Sequence, residues 1–440
     1  MVTKTSFPGV YIEENTSLAL SVSQGDTAIP VFIGRFSSEE NNSPLQVIRV
    51  SSWLDFTTQY PLDPISISIT STPINPPVQL EEKPIIDAAA TNISVAHKPS
   101  YDALRLYYQN GGGPCYILSL KDTNDEKTLA KIPELIEQAA NITLLICPEL
   151  DATYKNTVYA SLSPLLNNPK YHGKYFLIAD TNIDGEGKPA IPASLVEQDQ
   201  AAIYYPLLKI RQPEDKNINI TGYKDTAITN LAQLKVKDEN TYQEVIQKIQ
   251  DAKVGIVSTS AVIAGVYCAT DANRGIWKAP ANVVLNGISD VTKRITDDEQ
   301  GTISQDGINA IRYFNNRGFV VWGARTLKDD DNWRYIPVRR LFNSAERDIR
   351  RTMQFAIFEP NSQPTWERVR SAIENYLYQL WQQGALTGNK PQEAYFVQIG
   401  KDITMSDNDI KQGKMIIKVG IAAVRPAEFI ILQFSQNVAQ

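Results

Sequence analysis

The chain has 440 residues, of which 42% are hydrophobic and 21% are charged, and its formal net charge is −6 at pH 7. This composition is typical of a globular protein with two or three domains. The acidic balance excludes a protein whose whole surface is built to bind nucleic acid.

The first predicted element is a buried strand in TAIPVFIGRF (27–36). From about residue 100, helices alternate with strands. A short helix in YDALRLYYQNGGG precedes strands in CYILSL, ITLLICP and KYFLIAD, all apolar on both faces. This pattern predicts a mainly parallel sheet covered by helices on both sides. The proline-rich and polar regions 37–98 and 181–250 are predicted to be peripheral insertions.

The last third of the chain is typical of an α+β domain. Asn343 and Glu346 have the spacing of a capping box at a helix start. TWERVRSAIENYLYQLWQQGALTG predicts a long helix with Thr365 as its cap and Gly384 at its stop. AYFVQIG and the alternating segment 414–424 predict antiparallel strands. One face of segment 414–424 carries Met415, Ile417, Val419 and Ile421.

Both ends of the sequence carry apolar stretches without a core of their own. The C-terminal stretch is apolar on both faces of a strand, which is typical of a strand inside a sheet, although chain ends usually fray at the surface. The apolar residues are Val10, Tyr11, Ile12, Leu18, Leu20 and Val22 at one end and Phe429, Ile430, Ile431, Leu432 and Phe434 at the other.

The sequence offers no recognisable catalytic or metal-binding motif. Its only two histidines, His97 and His172, lie in polar sequence without partners at metal-ligand spacing. The phosphate-binding loop and the nucleophile elbow are absent. The three cysteines lie in apolar surroundings typical of small buried side chains. We therefore expect no enzyme activity, no cofactor and no metal.

Six arginines and two acids between Arg334 and Arg351 give a local net charge of +4 in an acidic chain. Arginine suits bidentate pairing with carboxylates. One interpretation is an interface with a partner; the other is an internal network with residues 329–331 and Glu359. The arginines assigned to the interface are Arg339, Arg340, Arg347, Arg350 and Arg351.

Seven motifs in register carry a family resemblance. They are SFPGVYIEE, GVYCATDANRGIWKAPAN, RGFVVWGARTL, WRYIPVRRLF, FEPN, LWQQGALTG and RPAEFII. Together they resemble the tail sheath proteins of contractile phages and of phage-like injection particles. The opening resembles the sheath subunits of extracellular, antifeeding-prophage-like contractile injection systems more than an average phage sheath.

The resemblance implies a fold of α/β plus α+β class. Its parts are an N-terminal linker arm (1–25), a subtilisin-like, non-catalytic α/β domain (26–325), a C-terminal α+β domain (326–426) and a C-terminal strand arm (427–440). The two arms would complete the C-terminal sheet of neighbouring subunits, at the strand 415–421. The arginine interface would face the inner tube or a neighbour.

The implied function is a structural subunit of a helical contractile sheath. Its partners would be further copies or paralogous sheath subunits, an inner tube protein, and baseplate and cap proteins, without nucleic acid or membrane insertion. Because no signal peptide or membrane segment is evident, we expect synthesis in a bacterial cytoplasm and release within a particle. The alternatives are a phage tail sheath protein, an α/β hydrolase and a fibre-like adhesin.

Overall fold

The computed structural model describes residues 22–36, 45–60, 65–72, 90–121, 126–139, 141–171 and 173–428. The helices are α1 (Trp53–Gln59), α2 (Pro99–Gln109), α3 (Glu126–Ala130), α4 (Ile132–Gln138), α5 (Ala152–Asn167), α6 (Leu231–Lys237), α7 (Glu239–Asp251), α8 (Thr259–Arg274), α9 (Asp297–Gln305), α10 (Ile336–Thr352), α11 (Gln363–Gln382), α12 (Pro391–Ala394) and α13 (Asp407–Lys411).

The strands are β1 (Pro30–Gly34), β2 (Val47–Val50), β3 (Ile65–Thr72), β4 (Ala90–His97), β5 (Cys115–Ser119), β6 (Leu144–Ile146), β7 (Phe176–Asp180), β8 (Asn182–Ile183), β9 (Pro189–Ala190), β10 (Ala201–Tyr205), β11 (Leu208–Lys209), β12 (Ile220–Thr221), β13 (Ile256–Val257), β14 (Asp290–Val291), β15 (Ile308–Phe314), β16 (Gly318–Trp322), β17 (Tyr395–Gln398) and β18 (Lys418–Ile421).

The chain divides into two compact units. The larger unit contains residues 26–344 and, at the end of the described chain, residues 425–428; the smaller contains residues 22–25 and 345–424. The division falls inside helix α10, further along the chain than the boundary expected after residue 325.

The larger unit is built on an eight-stranded sheet in the order β16-β15-β10-β7-β6-β1-β5-β2. The pairs from β15 through β10, β7, β6 and β1 to β5 are parallel. The edge strands β16 and β2 are antiparallel. The mainly parallel sheet predicted from the doubly apolar strands is confirmed.

Both faces of this sheet are buried, because adjacent residues of a strand point to opposite sides. Phe32 belongs to a core with residues of α2 and α8, whereas Val31 and Ile33 belong to a core with residues of α4 and α5. The strands therefore need apolar residues at every position, which is the pattern that the sequence shows.

The expectation that region 181–250 is peripheral throughout is wrong. Strand β10 lies inside the sheet between β7 and β15, and all five of its residues are buried. Region 37–98, also expected to be a peripheral insertion, likewise supplies the edge strand β2 of the large sheet, together with strand β3.

The remaining parts of these two regions pack on one another. Strand β3 pairs with β4 and with β12, and residues of α6 and α7 complete their apolar core. Two segments that are distant in sequence thus build one small layered cluster within the larger unit.

Helix α11 is the main helix of the smaller unit. The apolar side chains that recur at helical spacing in this segment are buried, and Gly384 follows the helix with φ +79°. They are Trp366, Val369, Ile373, Leu377 and Leu380. However, Ser362 occupies the N-cap position and Thr365 lies buried inside the helix, so the predicted cap is wrong. The capping box at Asn343 is also wrong, because α10 already begins at Ile336.

Among the described residues, none of the helices combines the length and the apolar character needed to span a bilayer.

Candidate assembly surfaces

The smaller unit contains a two-stranded antiparallel sheet of β17 and β18, with Tyr395 opposite Ile421 and Gln398 opposite Lys418. Within the described part of the chain, these strands pair only with each other. Phe396 is 52% exposed and Val419 is 37% exposed. A short sheet with open edges and exposed apolar side chains is a template for an added strand.

The segment predicted to receive such a strand is regular only in part. The strand covers Lys418–Ile421, so Val419 and Ile421 lie on one face as predicted. Met415 and Ile417 precede the strand and are half-buried. Their segment is held from the side, since the Thr404 hydroxyl donates to the carbonyl of Ile416 at 2.7 Å.

The N-terminal junction of the smaller unit is fixed by a buried carboxylate. Asp348 accepts a hydrogen bond from the backbone N–H of Gly25 at 3.2 Å and from the Tyr376 hydroxyl at 3.1 Å. Arg351 Nη2 lies 3.2 Å from the same carboxylate and donates to the carbonyl of Ser23 at 3.0 Å. Burial is the main cause that raises the pKa of Asp348. These contacts hold residues 23–25 in place on the smaller unit.

A comparable anchor lies at the other end of the described chain, within the larger unit. The Arg325 guanidinium donates to both oxygens of Glu428, with Nε–Oε1 at 2.9 Å and Nη2–Oε2 at 2.7 Å. The Tyr335 hydroxyl lies 3.3 Å from Oε2. A bidentate arginine–carboxylate pair fixes direction as well as position.

Sequence reasoning missed Asp348, Arg325 and Tyr335 as anchors. Arg325 and Tyr335 lie in RGFVVWGARTL and WRYIPVRRLF, while Glu428 belongs to RPAEFII. The signal was therefore present in the motifs, but a single sequence does not show which of their residues meet.

The arginine cluster separates into buried and exposed members. Arg339 is fully buried, with Asp199 3.4 Å away and the ring of Trp333 beneath its guanidinium. Arg340 is 2% exposed and forms a bidentate pair with Asp271. These two side chains face the interior of the larger unit, which corrects their assignment to a contact surface.

The alternative interpretation, an internal network, holds for one further member of the cluster: Arg334 pairs with Asp329 at 3.0 Å and Asp331 at 3.4 Å. Glu359 instead lies 4.0 Å from Arg368, which is outside the cluster. Of the interface set, Arg350 and Arg351 are exposed and Arg347 is half-buried.

Most predicted arm residues lie outside the described residues. These are Val10, Tyr11, Ile12, Leu18, Leu20, Phe429, Ile430, Ile431, Leu432 and Phe434. Val22 is described and is buried, with 3% exposure.

The described residues contain no group of three or more histidine, cysteine, aspartate or glutamate side chains arranged to hold a metal ion. Cys115 and Cys147 are buried as predicted, and burial raises the pKa of the Cys115 thiol to about 12. Although its sequence surroundings are polar, His97 ends strand β4 with a side chain that is 2% exposed.

Comparison with known proteins identifies the class. Family models described as the phage tail sheath protein central domain and the phage tail sheath C-terminal domain match residues 208–327 and 328–437. The helical sheath of the anti-feeding prophage in its contracted state is 45% identical, with TM-score 0.73, and the match covers 99% of this chain and 100% of that chain.

Two further structures agree. A chain of the anti-feeding prophage baseplate is 44% identical with TM-score 0.72, covering 99% of this chain and 100% of that one. The sheath of an extracellular contractile injection system, PVC, is 40% identical with TM-score 0.68, covering 99% of both chains. Curated phage and prophage sheath proteins match at 24–30% identity, over less than half of their own length.

These matches define a contractile sheath protein. The chain belongs to the phage tail sheath family and is a sheath subunit of a contractile injection system.

Proposed function

We propose that this chain polymerises into a helical sheath around the inner tube of a phage-tail-like injection particle that is released from the cell, and that sheath contraction drives the tube through a target envelope. The observation that carries the proposal is the 45% identity, over 99% of the chain, to a contracted helical sheath. The further partners are the inner tube protein, baseplate and cap proteins, and paralogous sheath subunits.

In this proposal, subunits are joined by exchanged strands. The apolar stretches 10–22 and 429–434 extend beyond the anchors at Gly25 and Glu428, and they add to the edges of β17 and β18 in neighbouring copies. An arm donated to one neighbour while another is received makes a heterologous contact, which propagates into rings or helices. Strand addition suits such arms because main-chain hydrogen bonds supply affinity while alternate side chains supply register.

Contraction is then a switch between two packings of the same subunit. The extended sheath is a kinetically trapped state held on the tube, and release at the baseplate allows the shorter, wider form. The α/β domain, with a subtilisin-like fold, serves as a rigid body and not as a catalyst, since fold alone confers no activity.

The surface assigned to the tube or a neighbour contains Arg347, Arg350 and Arg351. Tube release requires contacts that are numerous and individually weak, and exposed ion pairs in water meet that requirement.

Electron microscopy of the purified chain tests the function directly. We expect rings or tubes, and two diameters when assembly is compared with and without the tube protein. A chain that stays monomeric under all conditions, including with tube protein present, would contradict the proposal.

Deleting residues 427–440 tests the strand arm. We expect a folded subunit that no longer polymerises, measured by circular dichroism and sedimentation. Deleting only 436–440, beyond the apolar stretch, is the matched control and leaves assembly intact. The arm is rejected if the longer deletion unfolds the body or leaves polymerisation unchanged.

A phage tail sheath protein is the alternative carrier, and the genes beside this one distinguish the two. Genes for a capsid and for DNA packaging would mark a phage, whereas their absence next to tube and baseplate genes would mark an injection particle.

A further inference from the structure

A cavity of about 360 Å³ opens at the carboxyl end of the large sheet, beside β1 and β6. The strand order changes direction here: β5 lies on one side of β1, and the later strands β6, β7 and β10 continue on the other side. In open parallel sheets, ligands bind in the crevice at such a switch point. No part of the proposed sheath function uses this cavity.

Two carboxylates at or beside the cavity, Glu149 and Asp151, already have hydrogen-bond donors. Glu149 accepts from the backbone N–H and the guanidinium of Arg35, at 2.7 and 2.6 Å, and from the Ser100 hydroxyl at 2.6 Å. Gly34 makes room for this carboxylate, since a Cβ there would stand 2.7 Å from Oε1. Asp151 accepts from the backbone N–H groups of Thr153 and Tyr154, at 2.9 and 3.1 Å.

One donor at the cavity, His97, is without a partner among the described residues. His97 lines the cavity with a side chain that is 2% exposed, and neither ring nitrogen has a hydrogen-bond partner among the described residues. The nearest carboxylate oxygen, Oδ2 of Asp102, is 3.5 Å from Nε2, and the other oxygen of Asp102 pairs with Arg105 at 3.0 Å. Burying an imidazole without a partner is unfavourable unless something else occupies its hydrogen bonds.

Two further features favour an acceptor at this position. Helix α2 begins at the cavity with Pro99, and no side chain caps its N-terminus. Helix N-termini carry partial positive charge and favour anions. Lys253 is an exposed cation at the cavity wall.

We propose that this cavity binds a small oxyanion, carried by a phosphate or carboxylate group of a small molecule. His97 donates from the buried side, Lys253 supplies charge at the opening, and the start of α2 adds its positive end. The volume lies at the lower end of the range for small-molecule pockets, which fits a ligand of metabolite size.

The test is a titration of the full-length chain with inorganic phosphate and, separately, with succinate. Because the chain has only His97 and His172, imidazole NMR signals assigned with His172→Gln report on the site directly. We expect the His97 signals to shift saturably with at least one probe while the His172 signals stay in place. Saturation by one probe alone identifies which group the site prefers.

Variants separate this site from general surface binding. Lys253→Met and His97→Gln are each expected to weaken binding at least tenfold by calorimetry, whereas the exposed control Lys237→Met binds as wild type. The proposal is overturned if neither probe shifts His97, or if Lys253→Met binds both probes as tightly as wild type. The NMR result on the unaltered chain decides the question if His97→Gln fails to fold.

Discussion

The pairing of Arg340 with Asp271 shows how a surface-type residue becomes a core residue. Both side chains are nearly fully buried, with Nη2–Oδ2 at 2.7 Å and Nη1–Oδ1 at 3.0 Å. The guanidinium also donates to the carbonyl of Thr27 and lies over the ring of Tyr267. The guanidinium that was predicted to lie at an interface therefore makes these contacts inside the larger unit.

Arg340→Met is expected to lower the free energy of unfolding by about 3–5 kcal/mol, because it leaves the Asp271 carboxylate buried without its partner. Urea unfolding measures this free energy for the wild type and the variant. Arg350→Met, an exposed arginine on the same helix, is the control and should change stability by less than about 0.5 kcal/mol. Equal effects of the two substitutions would show that the buried pair contributes nothing specific.

The burial of Tyr60 predicts that the stability of the fold depends on pH. Its hydroxyl is buried without a hydrogen-bond partner among the described residues, and burial raises its pKa from 10.0 to about 12. Since the folded pKa is the higher one, the contribution of this group to stability is complete below pH 10 and is lost as pH rises toward 12. The loss is on the order of 2 kcal/mol.

Tyr60→Phe removes both the alkaline loss and an unsatisfied buried hydroxyl. We expect stability at pH 7 to be unchanged or raised by about 1 kcal/mol, and an advantage over wild type that grows between pH 10 and 12. The exposed Tyr313→Phe serves as control and should follow wild type throughout. An advantage that does not grow above pH 10 would refute the assignment.

At the scale of elements, the close approach of α2 and α8 depends on one glycine. A Cβ on Gly265 would clash with the backbone oxygen of Tyr107. Gly265→Ala is therefore expected to cost about 1–3 kcal/mol, because the helices must separate. Gly301, inside α9, has no atom within 4 Å of its Cβ position.

Gly301→Ala is the matched control and is expected to stabilise by about 0.5–1 kcal/mol through helix propensity. Chemical denaturation of the two variants gives the comparison. If both substitutions raise stability, backbone propensity and not helix packing governs Gly265.

The hydrophobic period of the sequence predicts some of these elements and misses others. The doubly apolar strands and the stripe of α11 were predictable because burial on both faces, or on one helical face, leaves a repeating pattern. Strand β10 was missed because its five residues lie within a polar region. Asn343 looked like a cap because its spacing to Glu346 is right, but inside α10 its side chain accepts from Arg339 and donates toward Gln200.

The contacts that anchor the two ends of the described chain could not be predicted from the sequence, for a different reason. Arg325 and Glu428 are 103 positions apart, and Gly25 and Asp348 are 323 positions apart. Such pairs have no local period, so only the fold brings them together. The candidate sheet of β17 and β18 was predictable as strands, whereas the residues that fix the chain beside the arms were not.

At the scale of the whole molecule, the proposed sheath must hold many copies together and still let them move. Buried pairs such as Arg340–Asp271 resist change within a unit, while exposed charges are screened by water and salt. Arg350 is the clearest exposed member of the arginine cluster. Arg351 also binds Asp348 and the carbonyl of Ser23, so its substitution would disturb the N-terminal junction as well.

Arg350→Glu therefore isolates the contact surface. We expect a normally folded subunit whose co-assembly with tube protein, or whose polymerisation, is reduced severalfold at low salt, because like charges then face an acidic partner. Wild-type assembly should weaken with added salt toward the level of the variant, as screening removes the ion pairs. Lys237→Glu, an equal charge reversal on α6, should assemble as wild type. Sedimentation and electron microscopy across a salt series measure the assembly of the wild type and of each variant. If Arg350→Glu assembles like wild type at every salt concentration, this surface has no part in the proposed mechanism.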